Sequence, residues 1–339
     1  MLVESSKLSI QNSYKAAGLS MFLLSVGLLL ARLFVSVAAP LFVPHFSENG
    51  LRVFIDTLFT VLAQVLLCLM LVFLVYKVRG KNSTRQVLEL SNIKKTNLRN
   101  VLLAVPIGLL GIFVTMGVSM LSMILINLLG YNRASGVGGL PTQFSMGFFI
   151  LQLVLIAVLP AICEEFAIRG GLFNTLYSTT YSKNKKAKFY VLMALAFGLF
   201  HQNITQFFYT AFFGFIIAYV VVKTKSIFPA IIIHFVNNAA SVFISHAAMY
   251  NFRFFGQINN SINYGLRNNL IGVILIYVAI VLVFTLLLKL LKTPLQKEQP
   301  ILINNATFKP TLNDNAFFIG AIVVSGSFTL FTFIWGLMY

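Results

Sequence analysis

The stretch 146–171, MGFFILQLVLIAVLPAICEEFAIRGG, is an apolar run that ends on two adjacent carboxylates. It lies in a longer uncharged run, 134–163, followed by Glu164, Glu165 and, four residues on, Arg169. About 20 mostly apolar residues make a helix long enough to cross the hydrocarbon core of a bilayer. A carboxylate near the bilayer centre costs at least ~2.5–3.5 kcal/mol, so an acid pair there has either a partner or a task. The two glutamates are among only eight acidic residues in the 339-residue chain.

The same pattern recurs on both sides. Further uncharged runs cover 100–132, 189–222, 226–252, 268–288 and 315–339. The chain is 58% hydrophobic and 10% charged, with a mean hydropathy of +0.89, whereas a soluble domain averages about 25% charged. The fold class is therefore all-α, a polytopic transmembrane helix bundle. The net charge of +17 does not point to nucleic acid, because the basic residues cluster in short segments between apolar runs. That is the pattern of the positive-inside rule, and the partner it implies is the lipid bilayer.

The clusters at 77–99, 183–188, 223–225 and 289–297 fit a cytoplasmic side. The expected spans are then 17–43, 53–76, 101–128, 146–177, 188–204, 207–222, 227–247, 268–290 and 316–338, with the N-terminus inside and the C-terminus outside. The run 189–222 has basic residues at both ends, so it reads as a hairpin of two short helices turning near 203–206. The first span carries Arg32 and is too long for a cleaved signal, so it reads as retained. Arg32 and Asp56 fall in or beside the first two spans and are candidates for a structural pair. Cys68 and Cys163 both lie in spans, which argues against a disulfide framework. Cys163 adjoins Glu164, but a thiol in apolar surroundings is ordinarily inert packing.

Three polar points fall at similar depth. Glu164 lies 13 residues before Tyr177, and His201 lies 13 residues after Lys188; at 1.5 Å per residue each is about 20 Å from the inner end of its helix. His234 lies 9 residues beyond Lys225, about 13 Å on the same measure. Residues four apart share a helix face. Glu165 with Arg169 is such a pair, which neutralises Glu165 and leaves Glu164 for another task. Phe197 with His201 and His234 with Asn238 are two more, the first ring walling its histidine from lipid.

The residue types suggest chemistry. A carboxylate in a poorly hydrated pocket can act as a general base near neutral pH. Glu164 with His201 can polarise a water for attack on a carbonyl, and His234 with Asn238 can donate to the oxyanion that forms. Glu164, His201 and His234 are equally a zinc ligand set with an open position. Spacing does not separate the two. The same residues also fit a helix-joining role, a proton relay in a coupled transporter, or a non-catalytic scaffold that binds a peptide.

Three ordered motifs narrow the field: Glu164-Glu165-Phe-Ala-Ile-Arg169, Phe197-Gly-Leu-Phe-His201 and His234-Phe-Val-Asn-Asn238. Each lies on an apolar run, and together they resemble the EExxxR, FxxxH and HxxxN motifs of the CAAX-protease and bacteriocin-processing (CPBP, or Abi) family of intramembrane proteases. The resemblance covers 146–248. It implies one integral membrane domain, 1–339, with a catalytic core of about four helices at 146–248 and accessory spans at 1–145 and 249–339. It implies that Glu164 and His201 activate water, that His234 and Asn238 hold the oxyanion, and that Glu165 and Arg169 keep the site in shape. The family is often labelled metal-dependent, though its better-understood members resemble glutamate proteases. Its substrates are peptides or membrane-anchored proteins, and bacterial members are also associated with bacteriocin immunity. Usage rich in Lys, Asn, Ile and Phe points to a bacterial cytoplasmic membrane.

Overall fold

The computed structural model describes residues 2–43, 48–79, 92–131, 144–173, 176–177, 186–250, 252–253, 257, 261, 264–265, 267–293 and 310–338. Among them the chain forms nine helices: α1 (Leu2–Phe42), α2 (Glu48–Arg79), α3 (Leu98–Leu128), α4 (Met146–Leu172), α5 (Lys186–Phe200), α6 (Ile204–Thr224), α7 (Phe228–Met249), α8 (Leu270–Leu290) and α9 (Leu312–Met338). Eight are long and apolar enough to cross a membrane. The exception is α5, whose 15 residues reach about 22 Å, short of the ~30 Å hydrocarbon core. The protein is an all-helical integral membrane protein, as its composition dictates. His45, Lys81, Arg85, Glu89, Lys183, Lys185, Lys297 and most of the loop 130–144 lie outside the described residues.

The helices α1, α2 and α9 pack together on one side, and α3 packs against α6, α7 and α8. The α5–α6 hairpin lies between these groups, and α4 touches both α2 and α7. Leu67, Ile168, Leu172, Phe189, Met193, Phe197, Ile217 and Ile233 fill the interior. Leu30, Phe34, Leu275 and Ile276 point outward, as expected where the solvent is hydrocarbon.

The α5–α6 hairpin forms as the charge pattern requires, with its turn at 201–203 rather than 203–206. Asn203 begins α6 early, because its side chain accepts from the Thr205 N–H at 2.9 Å and caps the first turn. The two helices approach closely through reciprocal glycines. A Cβ on Gly214 would stand 2.8 Å from Phe197 Cβ, and one on Gly198 would stand 2.8 Å from Ala211 Cβ.

Turn backbone at membrane depth survives only where the protein satisfies its polar groups. Here Gln202, fully buried at φ +50, donates from Nε2 to the Ser25 carbonyl at 2.9 Å. The Ile204 N–H donates to Thr332 Oγ1 at 3.0 Å, and Arg32 Nη2 donates to the His201 carbonyl at 3.2 Å. Helices α1 and α9 thereby clamp the turn that carries His201.

Candidate active site

Helix α4 is not regular. Two π-helical segments, Leu153–Val158 and Glu165–Leu172, flank an α-helical turn, Leu159–Glu164. Widened turns of this kind free backbone groups and re-aim side chains, and they occur often at functional sites. Pro160 explains part of the first. It has no N–H, so the Ile156 carbonyl loses its usual i+4 donor. Asn238 on α7 replaces that donor, giving Nδ2 to Ile156 O at 2.9 Å.

The second widened turn carries an ion pair. Glu165 and Arg169 are fully buried, and Arg169 Nη1 donates to Glu165 Oε1 at 3.1 Å, as the four-residue spacing anticipates. The same oxygen lies 2.9 Å from His234 Nδ1. Arg169 also donates to the Gly214 carbonyl at 3.4 Å and stacks its guanidinium 4.3 Å from the Phe197 ring centre. Partners on α5, α6 and α7 therefore all meet one buried charge pair. Such burial is tolerated because each charge faces its opposite, although Glu165 Oε2 and Arg169 Nε are buried with no hydrogen-bond partner among the described residues.

The histidine tautomers follow from their partners. A carboxylate accepts, so His234 Nδ1 carries the proton towards Glu165. His201 Nδ1 lies 2.9 Å from the Phe197 carbonyl, and it too must donate. Both rings therefore present Nε2 away from these anchors. Phe197 separates them, its ring edge-on to His201 at 5.1 Å and to His234 at 6.0 Å.

Glu164, His201, His234 and Asn238 line one cavity of about 840 Å³, and Phe197 forms part of its wall. Glu165 and Arg169 lie behind that wall. The accessory helices contribute more than the sequence indicates. Gln64 on α2 donates from Nε2 to Glu164 Oε1 at 3.4 Å, and both Gln64 Oε1 and Glu164 Oε2 are buried without a partner among the described residues. Asn237, beside Asn238, also lines the cavity and accepts from Thr115 Oγ1 at 3.5 Å. The adjacent asparagine was a signal for Asn237; nothing local pointed to Gln64. Arg32 and Asp56 line the same cavity. Arg32 makes no ion pair among the described residues, and its guanidinium instead lies 4.2 Å from the Phe59 ring centre and 5.5 Å from that of Phe328.

A bound metal fits this donor set poorly. Among the described residues no three His, Cys, Asp or Glu side chains are grouped as ligands. Cys163 faces Cys68, Sγ to Sγ at 3.5 Å, and both are free thiols. Neither lines the cavity.

The family model described as Rce1-like, type II CAAX prenyl endopeptidase Rce1-like, matches residues 146–240. No curated protein and no solved structure matches the chain. The resemblance read from the three motifs is borne out: over residues 146–240, which carry Glu164, His201, His234 and Asn238, the chain matches the Rce1-like family of CAAX-type membrane proteases.

Proposed function

We propose that the protein is an intramembrane endopeptidase of glutamate type, acting on a peptide or membrane-anchored protein. The observation that carries this reading is the single cavity shared by Glu164, His201, His234 and Asn238. A water there gives one hydrogen bond to Glu164 Oε2 and one to His201 Nε2, the two acceptors that the protein leaves facing it. As its oxygen bonds to the substrate carbonyl carbon, its proton passes to Glu164. The carbonyl oxygen becomes an oxyanion, which takes a hydrogen bond from the second Asn238 amide proton; His234, held at Nδ1 by Glu165, adds a second from Nε2 whenever that nitrogen also carries a proton. Preorganised donors of this kind supply the largest share of the rate in acyl transfer. Glu164 then passes the proton to the amide nitrogen, the C–N bond breaks, and a carboxylate and an amine leave.

The basic segments support an N-terminus on the cytoplasmic side, and the Lys, Asn, Ile and Phe usage supports a bacterial cytoplasmic membrane. The depth of the cavity residues supports cleavage within the membrane.

The decisive variant is Glu164→Gln, which keeps size and the Gln64 contact while removing the base. Purified protein in nanodiscs should unfold at the wild-type temperature and lose cleavage of a peptide library by at least ~10²-fold. Wild-type turnover in that variant would end the proposal.

A further inference from the structure

An arginine in a membrane interior ordinarily faces a carboxylate. Arg32 does not. It stands ten residues before the end of its span, Tyr14–Phe42, about 15 Å along the helix, too deep for a lipid headgroup to serve as its partner. Its guanidinium is stacked by Phe59 and Phe328, and Nη2 is anchored on the His201 carbonyl. Its Nε is buried with no partner among the described residues, and the side chain lines the cavity of Glu164 and His201. The planar fork is thus held against two aromatic rings and at one corner, with donors left over among the described residues. Such a fork matches a carboxylate, which it binds through two parallel charge-assisted hydrogen bonds.

We propose that Arg32 is a specificity-determining residue that binds a carboxylate of the peptide substrate. The proposal rests on the endopeptidase reading above and names the substrate class. His201 supplies both the carbonyl that Arg32 holds and the imidazole that faces the cavity. The two ends of the site are therefore within roughly three extended residues, at ~3.3–3.6 Å each. The carboxylate lies that close to the scissile bond, and it is either an Asp or Glu side chain or the peptide's own C-terminus. Arg32 lies outside the family-matched segment 146–240, so α1 sets substrate choice for a cavity built largely from other helices.

The test is a peptide library digested by the full-length protein in nanodiscs and read by mass spectrometry. Its members come in matched sets: free C-terminus, C-terminal amide, and each Asp or Glu replaced by Asn or Gln. Wild type should cut the carboxylate-bearing members faster than their neutral counterparts by at least about tenfold. Arg32→Gln should level that preference, and Arg32→Lys, which keeps charge but not the fork, should retain part of it. The amide and Asn/Gln arms tell which carboxylate is read. Thermal unfolding of each variant accompanies the digest; if Arg32→Gln does not fold, the partial loss in Arg32→Lys carries the test. Equal wild-type rates on all members, or a preference that persists in Arg32→Gln, overturns the proposal. No wild-type cleavage of any member overturns the endopeptidase reading itself, and this inference with it.

Discussion

His234 and Glu165, separated by 69 positions in the chain, share a hydrogen bond of 2.9 Å from Nδ1 to Oε1. Glu165 thus has two buried cationic or proton-bearing partners, His234 and Arg169, on a single oxygen. Orientation of the imidazole and neutralisation of the arginine are joined in one carboxylate. Glu165→Gln should therefore lose both. The amide can turn its N–H to His234 and favour the wrong tautomer, a change that in a catalytic triad lowers kcat by about 10⁴. Here a fall of at least ~10² is expected, with KM little changed, in steady-state assays. Unfolding should also come earlier, because leaving the buried Arg169 unpaired costs about 3–5 kcal/mol. A double change, Glu165→Gln with Arg169→Met, should recover stability and leave activity lost.

Gln64 reaches Glu164 from a helix that the motifs do not include. Gln64→Leu removes the donor to Glu164 Oε1 at nearly constant volume. The carboxylate then gains rotational freedom, and kcat should fall about tenfold, the effect of one hydrogen bond to a charged group. KM should stay within about twofold, since no substrate contact is removed. A rise in KM alone would instead assign Gln64 to substrate binding.

Much of this site was legible in the chain because helix geometry is local. The four-residue spacing of Glu165 and Arg169 gave their ion pair, and the basic ends of 189–222 gave the hairpin. Apolar length and charge alone gave the membrane class. Contacts across helices were not legible. Gln64 meets Glu164 across 100 residues, and Arg32 meets His201 across 169; periodicity does not encode such pairings. The π turns were hidden as well, since Pro160 marks a break in α4 without saying how the freed Ile156 carbonyl is satisfied. Asn238 looked like an oxyanion donor only, yet it also closes that break.

Gly214 tests the packing behind the chemistry. Alanine there brings a Cβ to 2.8 Å from Phe197 Cβ, so α5 must shift. Overpacking of this kind costs about 1–3 kcal/mol. Phe197 carries Arg169 on its face and His201 at its edge, so the shift also moves the histidine. Gly214→Ala should lower the unfolding temperature in nanodiscs and reduce kcat together.

Cys163 adjoins Glu164 in sequence, which invites a thiol nucleophile. Its Sγ faces Cys68 on α2 at 3.5 Å, and it does not line the cavity. Cys163→Ala and Cys68→Ala should each keep cleavage within about threefold of wild type, with a loss of stability of at most ~1–2 kcal/mol for the small volume removed. Alkylation-resistant turnover in both variants would agree; abolition in Cys163→Ala alone would reopen thiol chemistry.

Metal dependence gives the last test. A zinc hydrolase needs three protein ligands converging on one point with a fourth position open. Glu164, His201 and His234 share a cavity, yet no three acidic, histidine or cysteine side chains form a ligand group among the described residues. Protein dialysed against 1,10-phenanthroline and EDTA should therefore keep its kcat, and added zinc should inhibit by capturing Glu164 and His201. Metal analysis by mass spectrometry on the same samples decides the matter. Less than about a tenth of an equivalent in fully active protein fits a glutamate mechanism; activity that tracks one bound equivalent requires the side chains to close around a metal in a state other than this one.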